Sequence, residues 1–336
     1  MVRKFFALAL FAACAMCLGV QPSTAATNWK LSHHKPVDSD IDKELKQFAA
    51  DIEKETEGRI KVKVFPAGQL GNSEMAIERT SMGTIDIMLG YPNSEIDPAL
   101  DVYAIPGMAS NYDEVAKLYK QGSPFSMYIE ELFNKQDLHV LATYTLPFAG
   151  LWFKAMPENP KDPAAAHKEK IRVPGINSYR YPAEAFGYFG TALPFGEVFT
   201  SLQTGVIDGV YGPSAESVYQ SLRDVVKVNI PVDLQPDMNF ILINKNAFDK
   251  LPEQDRQIVA RLGLVIEQAG FANGAKRAQT WNQRIADYGI TIVALTDAER
   301  QAFKKRAQDI TWPKLRQDIG AEVFDKAIAA YEASMK

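Results

Sequence analysis

The chain has 336 residues, a net charge of −4, 46% hydrophobic residues and two cysteines. The acidic balance excludes a nucleic-acid-binding protein, which needs a basic surface. The hydrophobic share and length fit a folded chain of two lobes rather than a disordered one.

In chain order, Arg3 and Lys4 precede the apolar run Phe5 to Val20, and Thr24-Ala25-Ala26 offers small residues for cleavage. That order of basic, apolar and small residues is a secretory signal over residues 1–26. Cleavage removes Cys14 and Cys17 with it, so the exported chain is expected to hold together by core packing, without a disulfide.

Trp29 to Ser32 reads as a strand. Asp38 to Glu57 reads as an amphipathic helix, with Ile41, Leu45, Phe48 and Ile52 on one face and Gly58 at its stop. Ile60, Val62 and Val64 alternate with lysines in a second strand. A Phe65-Pro66-Ala67-Gly68 loop, a helix from Ser73 to Met82 and a strand from Ile85 to Gly90 complete a strand–helix–strand unit of a parallel sheet. The same grammar returns at Lys170 to Val173, at a helical segment Phe195 to Thr204, and at a strand ending at Tyr211-Gly212. Gly205-Val206-Ile207-Asp208 mirrors Gly83-Thr84-Ile85-Asp86, each a glycine helix stop followed by a buried strand. This repetition predicts two related α/β lobes.

Leu138 to Thr145 and Gly150 to Lys154 read as strands leaving the first lobe and entering the second. Val225 to Val232 and Asn239 to Asn244 read as the return. Crossings near residues 147 and 238 would form a hinge. Pro252 to Tyr288 is one long helical pattern, roughly 54 Å if continuous, long enough to span both lobes, with Gly263, Gly270 and Gly274 as places to bend. The expected division is residues 27–147 with 239–279 in one lobe and 148–238 with 280–336 in the other.

The chemistry is mostly negative. No phosphate-cradling glycine loop is present, and no Gly-x-Ser-x-Gly elbow. His33-His34 is adjacent rather than at helical ligand spacing, so no metal and no cofactor is expected. What remains is recognition. Arg172 lies inside the short apolar strand Lys170-Ile171-Arg172-Val173, and a buried guanidinium needs an anionic partner. That partner is either an internal carboxylate or an anion from solution. A bidentate carboxylate contributes about 3–6 kcal/mol through two charge-assisted bonds, against about 8 kcal/mol for micromolar affinity. Ligands of open α/β sheets sit beyond the carboxyl ends of the strands. The side chains there are His34, Tyr91, Phe148, Trp152, Tyr179, Phe195 and Tyr211, with Gly212 offering backbone and Asn239 on the return crossing.

Four strings, Phe65-Pro66-Ala67-Gly68-Gln69-Leu70-Gly71, Gly83-Thr84-Ile85-Asp86, Lys170-Ile171-Arg172-Val173-Pro174 and Phe195-Gly196-Glu197-Val198-Phe199 through Asp208-Gly209, make the chain resemble the extracytoplasmic solute-binding proteins of tripartite ATP-independent periplasmic (TRAP) transporters, the DctP family. The resemblance covers residues 28–336. It implies a two-lobed periplasmic binding fold with a hinge and a lobe-spanning helix. It also implies a periplasmic, monomeric receptor rather than an enzyme, closing on an organic acid and serving the small and large TRAP membrane subunits. Arg172 falls on the arginine that pairs with the substrate carboxylate, and Phe195 on an apolar pocket position. Gly212 replaces an asparagine common in the family, a second cation near Phe148 is absent, and His34 and Tyr91 stand where sugar-acid binders use Asn and Glu. The implied guest is a smaller or flatter carboxylate or sulfonate. A receptor for an ABC importer or a sensor kinase, or an exported enzyme, are the competing readings.

Overall fold

The computed structural model describes residues 26–336 apart from 93 and 95; all but the last residue of the expected targeting segment lies outside them. The chain opens with β1 (Thr27–His33), α1 (Asp40–Glu55), β2 (Ile60–Phe65), α2 (Ser73–Ser81) and β3 (Ile87–Gly90). β1 lies parallel between β2 and β3. Ser39 caps α1 by accepting the Asp42 N–H at 3.2 Å, and Ile41, Leu45, Phe48 and Ile52 go inward as their spacing predicts. A short 3-10 turn at Pro98–Ala104 leads into α3 (Tyr112–Tyr119) and α4 (Pro124–Asn134).

The two expected crossing strands are one: β4 runs unbroken over 16 residues from Leu138 to Phe153. Its register slips between Val140 and Ala142, between Thr145 and Phe148, and between Ala149 and Leu151. Pro147 sits in the second slip, where it has no N–H to give to a ladder. The second lobe follows as β5 (Lys170–Val173), α5 (Asn177–Ala185), β6 (Phe189–Ala192), α6 (Val198–Thr204), β7 (Gly209–Ser214), α7 (Ala215–Ser221) and β8 (Val228–Ile230). Gly205 ends α6 at φ 79°, the left-handed cap its position predicts. β7 continues past Gly212 to Ser214. The chain returns along β9 (Pro236–Asn244), antiparallel to both β3 and β4. The strand order is β2-β1-β3-β9-β4-β7-β5-β6, with β8 on the flank of β4. Parallel strands fill each lobe; of the two crossing strands, β9 runs against β3 of the first lobe and β4 against β7 and β8 of the second.

The remaining elements are α8 (Lys245–Asp249), α9 (Glu253–Asp287), β10 (Thr291–Ile292), α10 (Asp297–Ile319) and α11 (Ala321–Met335). β10 pairs with β8. α9, 35 residues and about 52 Å long, packs on β4, α1, α3 and α7, so one rod braces both lobes. Two of its three glycines serve close packing: a Cβ at Gly263 would stand 2.3 Å from the Leu141 carbonyl oxygen, and one at Gly274 2.7 Å from the Tyr112 ring, whereas Gly270 faces open space. α10 lies on α5, whereas α11 reaches back to α3 and α4. The stretch expected to belong wholly to the second lobe therefore also touches the first.

Candidate functional site

The carboxyl ends of the strands converge on a small cavity between the lobes. Its walls are His34 and Lys35 beyond β1, Tyr91 beyond β3, Tyr103, Arg172 and Pro174 at β5, Ile176 and Tyr179 at α5, Phe195, Gly212 and Pro213 in β7, Ser217, and Asp237 and Met238 in β9.

Arg172 is 2% exposed. Its Nε donates to the Leu193 carbonyl at 2.7 Å, which fixes the guanidinium plane. Nη2 is buried without a hydrogen-bond partner, and no described carboxylate lies within ion-pair distance of it. The guanidinium lies beside the Tyr91 hydroxyl and faces the Phe195 ring at 5.8 Å. Of the two partners Arg172 might have had, the internal carboxylate is therefore missing among the described residues. A buried, oriented and unneutralised guanidinium is an anion site.

A second cation stands across the cavity. Lys35 is 4% exposed, and its Nζ donates to Ser217 Oγ at 3.4 Å and lies 5.8 Å from the same Phe195 ring. Ser217 in turn donates to Asp237 Oδ2 at 3.1 Å. That oxygen also accepts the Ser214 N–H at 3.3 Å and hydroxyl at 3.1 Å, while Oδ1 accepts from Asn239 Nδ2 at 3.2 Å. Ser214 caps α7, so the acid is held at a helix start. His34 meets Tyr91 and Phe195 edge-on. Burial drives its pKa well below the ordinary histidine value, helped by Lys35, His33 and Arg172, so it enters the cavity neutral. Burial likewise raises the Tyr91 pKa.

Six of the ten residues expected from the sequence line this cavity: His34, Tyr91, Arg172, Tyr179, Phe195 and Gly212. The other four lie elsewhere. Trp152 is buried and donates its indole N–H to the Pro213 carbonyl at 2.9 Å, bracing β7 from behind. Tyr211 points into the core and donates to Gln235 Oε1 at 3.1 Å. Phe148 stacks edge-on with Tyr112 in a separate hollow. Asn239 orients Asp237 from outside the cavity. Strand pleating explains Tyr211, since successive residues face opposite sides. Lys35, Ser217 and Asp237 were not expected. Lys35 follows His34 at a strand end, where the strand-end rule already looks; nothing local marks Asp237. His33 is buried and pairs through Nε2 with Asp42 at 3.1 Å, which anchors α1 to β1.

A wider groove runs between α1 and α9, but its central cation is already spent: Arg277 is bidentate to Glu216 and reaches Glu44. Among the described residues no helix is long and apolar enough to cross a membrane.

The family described as bacterial extracellular solute-binding protein, family 7, named DctP, matches residues 31–316. The ectoine-binding periplasmic protein TeaA of Halomonas elongata is 24% identical over 338 residues, covering 95% of this chain and 94% of that protein. Among solved structures, a Bordetella pertussis extracytoplasmic solute receptor binding pyroglutamic acid matches with a TM-score of 0.80 at 21% identity, over 91% of this chain and 100% of that one. A TRAP periplasmic solute binding protein from Desulfovibrio salexigens with bound orotic acid matches with a TM-score of 0.81 at 20% identity, over 92% and 98%.

Proposed function

Because the chain belongs to the bacterial extracellular solute-binding protein family 7, the DctP family, we propose that Arg172 is the anchor on which this solute receptor catches the carboxylate of a small organic acid between its two lobes. The supporting observation is the Nη2 of Arg172, buried and without a partner. Two bonds from that guanidinium to one carboxylate contribute about 3–6 kcal/mol. Phe195, Tyr91, His34 and Tyr103 supply apolar contact for the rest of a micromolar affinity. A small, aromatic-walled cavity favours a compact, flat acid over a polyhydroxylated one. The ring acids named for two structural relatives, pyroglutamic acid and orotic acid, are of that kind.

Capture works by population shift. The lobes open and close about the crossing strands β4 and β9, near residues 147 and 238, and the anion stabilises the closed form because it touches both sides at once. His34, Lys35 and Tyr91 come from the side of β1 and β3, and Arg172, Phe195 and Ser217 from the side of β5 and β7. The exported, monomeric protein then docks on the small and large TRAP membrane subunits in the periplasm and releases the acid unchanged, without catalysis. A thermal-shift screen against carboxylates and sulfonates tests this reading, since a ligand of the folded state alone raises the melting temperature. A stabilising monocarboxylate supports it. A panel in which no organic anion shifts the transition overturns it.

A further inference from the structure

The carboxylate anchor uses one end of the cavity and leaves the polar cluster at the other end without a task. That cluster carries its own demands. The Lys35 ammonium has three N–H donors and one long bond, 3.4 Å, to Ser217 Oγ. Asp237 is 8% exposed and lines the cavity, with its carboxylate oriented by Ser214, Ser217 and Asn239. Ser217 joins the two, accepting from Lys35 and donating to Asp237. The cavity thus presents a donor and an acceptor side by side, facing a guest already tethered at Arg172.

Charge narrows the guest. Arg172 and Lys35 are cations, Asp237 is an anion, and His34 is neutral, so the empty site has one positive charge in excess. A monoanion cancels it. A dianion overshoots, and a zwitterion leaves a net buried cation, both costly inside a protein. The remainder of the guest must therefore be neutral, yet offer an acceptor to Lys35 and a donor to Asp237. Size narrows it further. Arg172 Cζ and Lys35 Nζ each lie 5.8 Å from the Phe195 centroid, so they stand no more than twice that distance apart. With a hydrogen bond of about 2.8 Å at each end, a guest spanning the two is no longer than one small ring bearing a carboxylate. A polyol would also present hydroxyls to His34, Tyr103, Phe195 and Met238, which offer few partners.

We propose that Lys35, Ser217 and Asp237 form a second recognition pole that reads the amide edge of a lactam or imide monocarboxylate, Lys35 donating to its carbonyl oxygen and Asp237 accepting its N–H. This pole rests on the reading of Arg172 as the carboxylate anchor and refines it.

The test is calorimetric titration of the full mature chain with five probes: pyroglutamate, N-methylpyroglutamate, cyclopentanecarboxylate, proline and succinate. The expected order places pyroglutamate first, with each of the others at least tenfold weaker, the loss that follows from leaving one hydrogen bond of a charged group unmade. In Asp237→Asn the advantage of pyroglutamate over its N-methyl derivative should fall by tenfold or more. Cyclopentanecarboxylate or succinate binding within threefold of pyroglutamate overturns the amide pole while leaving the carboxylate anchor standing. Failure of every carboxylate to bind overturns the anchor itself, and the pole with it. If Asp237→Asn does not fold, the wild-type ranking alone decides.

Discussion

Arg277 ties the lobes together from the back, and its removal has a calculable cost. From α9 it donates Nε to Glu216 Oε2 at 2.5 Å and Nη2 to Oε1 at 2.7 Å, and Nη1 reaches Glu44 at 3.3 Å. Its guanidinium also lies 5.6 Å from the Tyr144 ring, and Tyr144 donates to Glu44. Glu216 starts α7 in the second lobe and is 0% exposed, whereas Glu44 is on α1 in the first. Arg277→Met keeps most of the aliphatic volume but strands the Glu216 carboxylate in the interior. Breaking a buried pair from one side costs about 3–5 kcal/mol, which at about 2 °C per kcal/mol lowers the melting temperature by about 6–10 °C. The assay is urea unfolding followed by fluorescence, with an unchanged m-value as the sign that only stability has moved. Pairing the change with Glu216→Gln should restore at least half of the loss, because the stranded charge is gone. A single variant that loses less than about 1 kcal/mol, or a double variant no better than the single, would refute the claim that this charge depends on Arg277.

Other consequences follow from single groups. Asp101 is buried, and desolvation raises its pKa to about 7 from 3.8, against the Ser94 and Asn177 hydrogen bonds that pull it down. A carboxyl raised in the folded state favours folding in full below 3.8, and that contribution is lost as pH rises to about 7. Asp101→Asn should therefore gain stability relative to wild type between pH 4 and pH 7, by about 4 kcal/mol at most, in unfolding curves taken across that range; a pH-independent difference would contradict it. Gly212 sits at φ 123° with space for a Cβ only 3.2 Å from Pro174 Cδ. Gly212→Ala should cost about 1–3 kcal/mol and weaken carboxylate affinity, since Pro174 lines the cavity. Trp152→Phe leaves the Pro213 carbonyl unpaired. It should lower stability by about 1–3 kcal/mol while changing the Kd for a bound carboxylate less than about threefold; a large affinity loss at constant stability would return Trp152 to the ligand.

The lobes were legible because their elements announce themselves twice. Helices stopped at Gly83 and Gly205 between two strands have one reading, and α2 and α6 follow it. The crossing was less legible: Pro147 looks like a strand break, yet β4 runs through it as a register slip against β9. The long helix was read correctly in length but not in the role of its glycines, because a sequence cannot distinguish a bend from a helix pressed against a neighbouring backbone. In the site, Arg172 stood out as a charge in an apolar strand. The aromatics did not sort themselves. Tyr91 and Phe195 face the cavity, whereas Trp152 and Tyr211 turn toward other elements, a difference set by pleat phase and by hydrogen-bond partners 61 and 24 residues away. Asp237 was invisible for the same reason: its meaning comes from Ser214, Ser217 and Lys35, which only the fold brings near.

The most direct measurement combines stability and binding in one variant. Arg172→Met removes a buried charge whose Nη2 has no partner in the empty protein, so the ligand-free chain should unfold at the same urea concentration as wild type or a higher one. The same variant should lose the melting-temperature rise that a binding carboxylate gives wild type, with affinity down by about two to four decades. A variant that still tightens on the carboxylate with wild-type affinity would contradict the account.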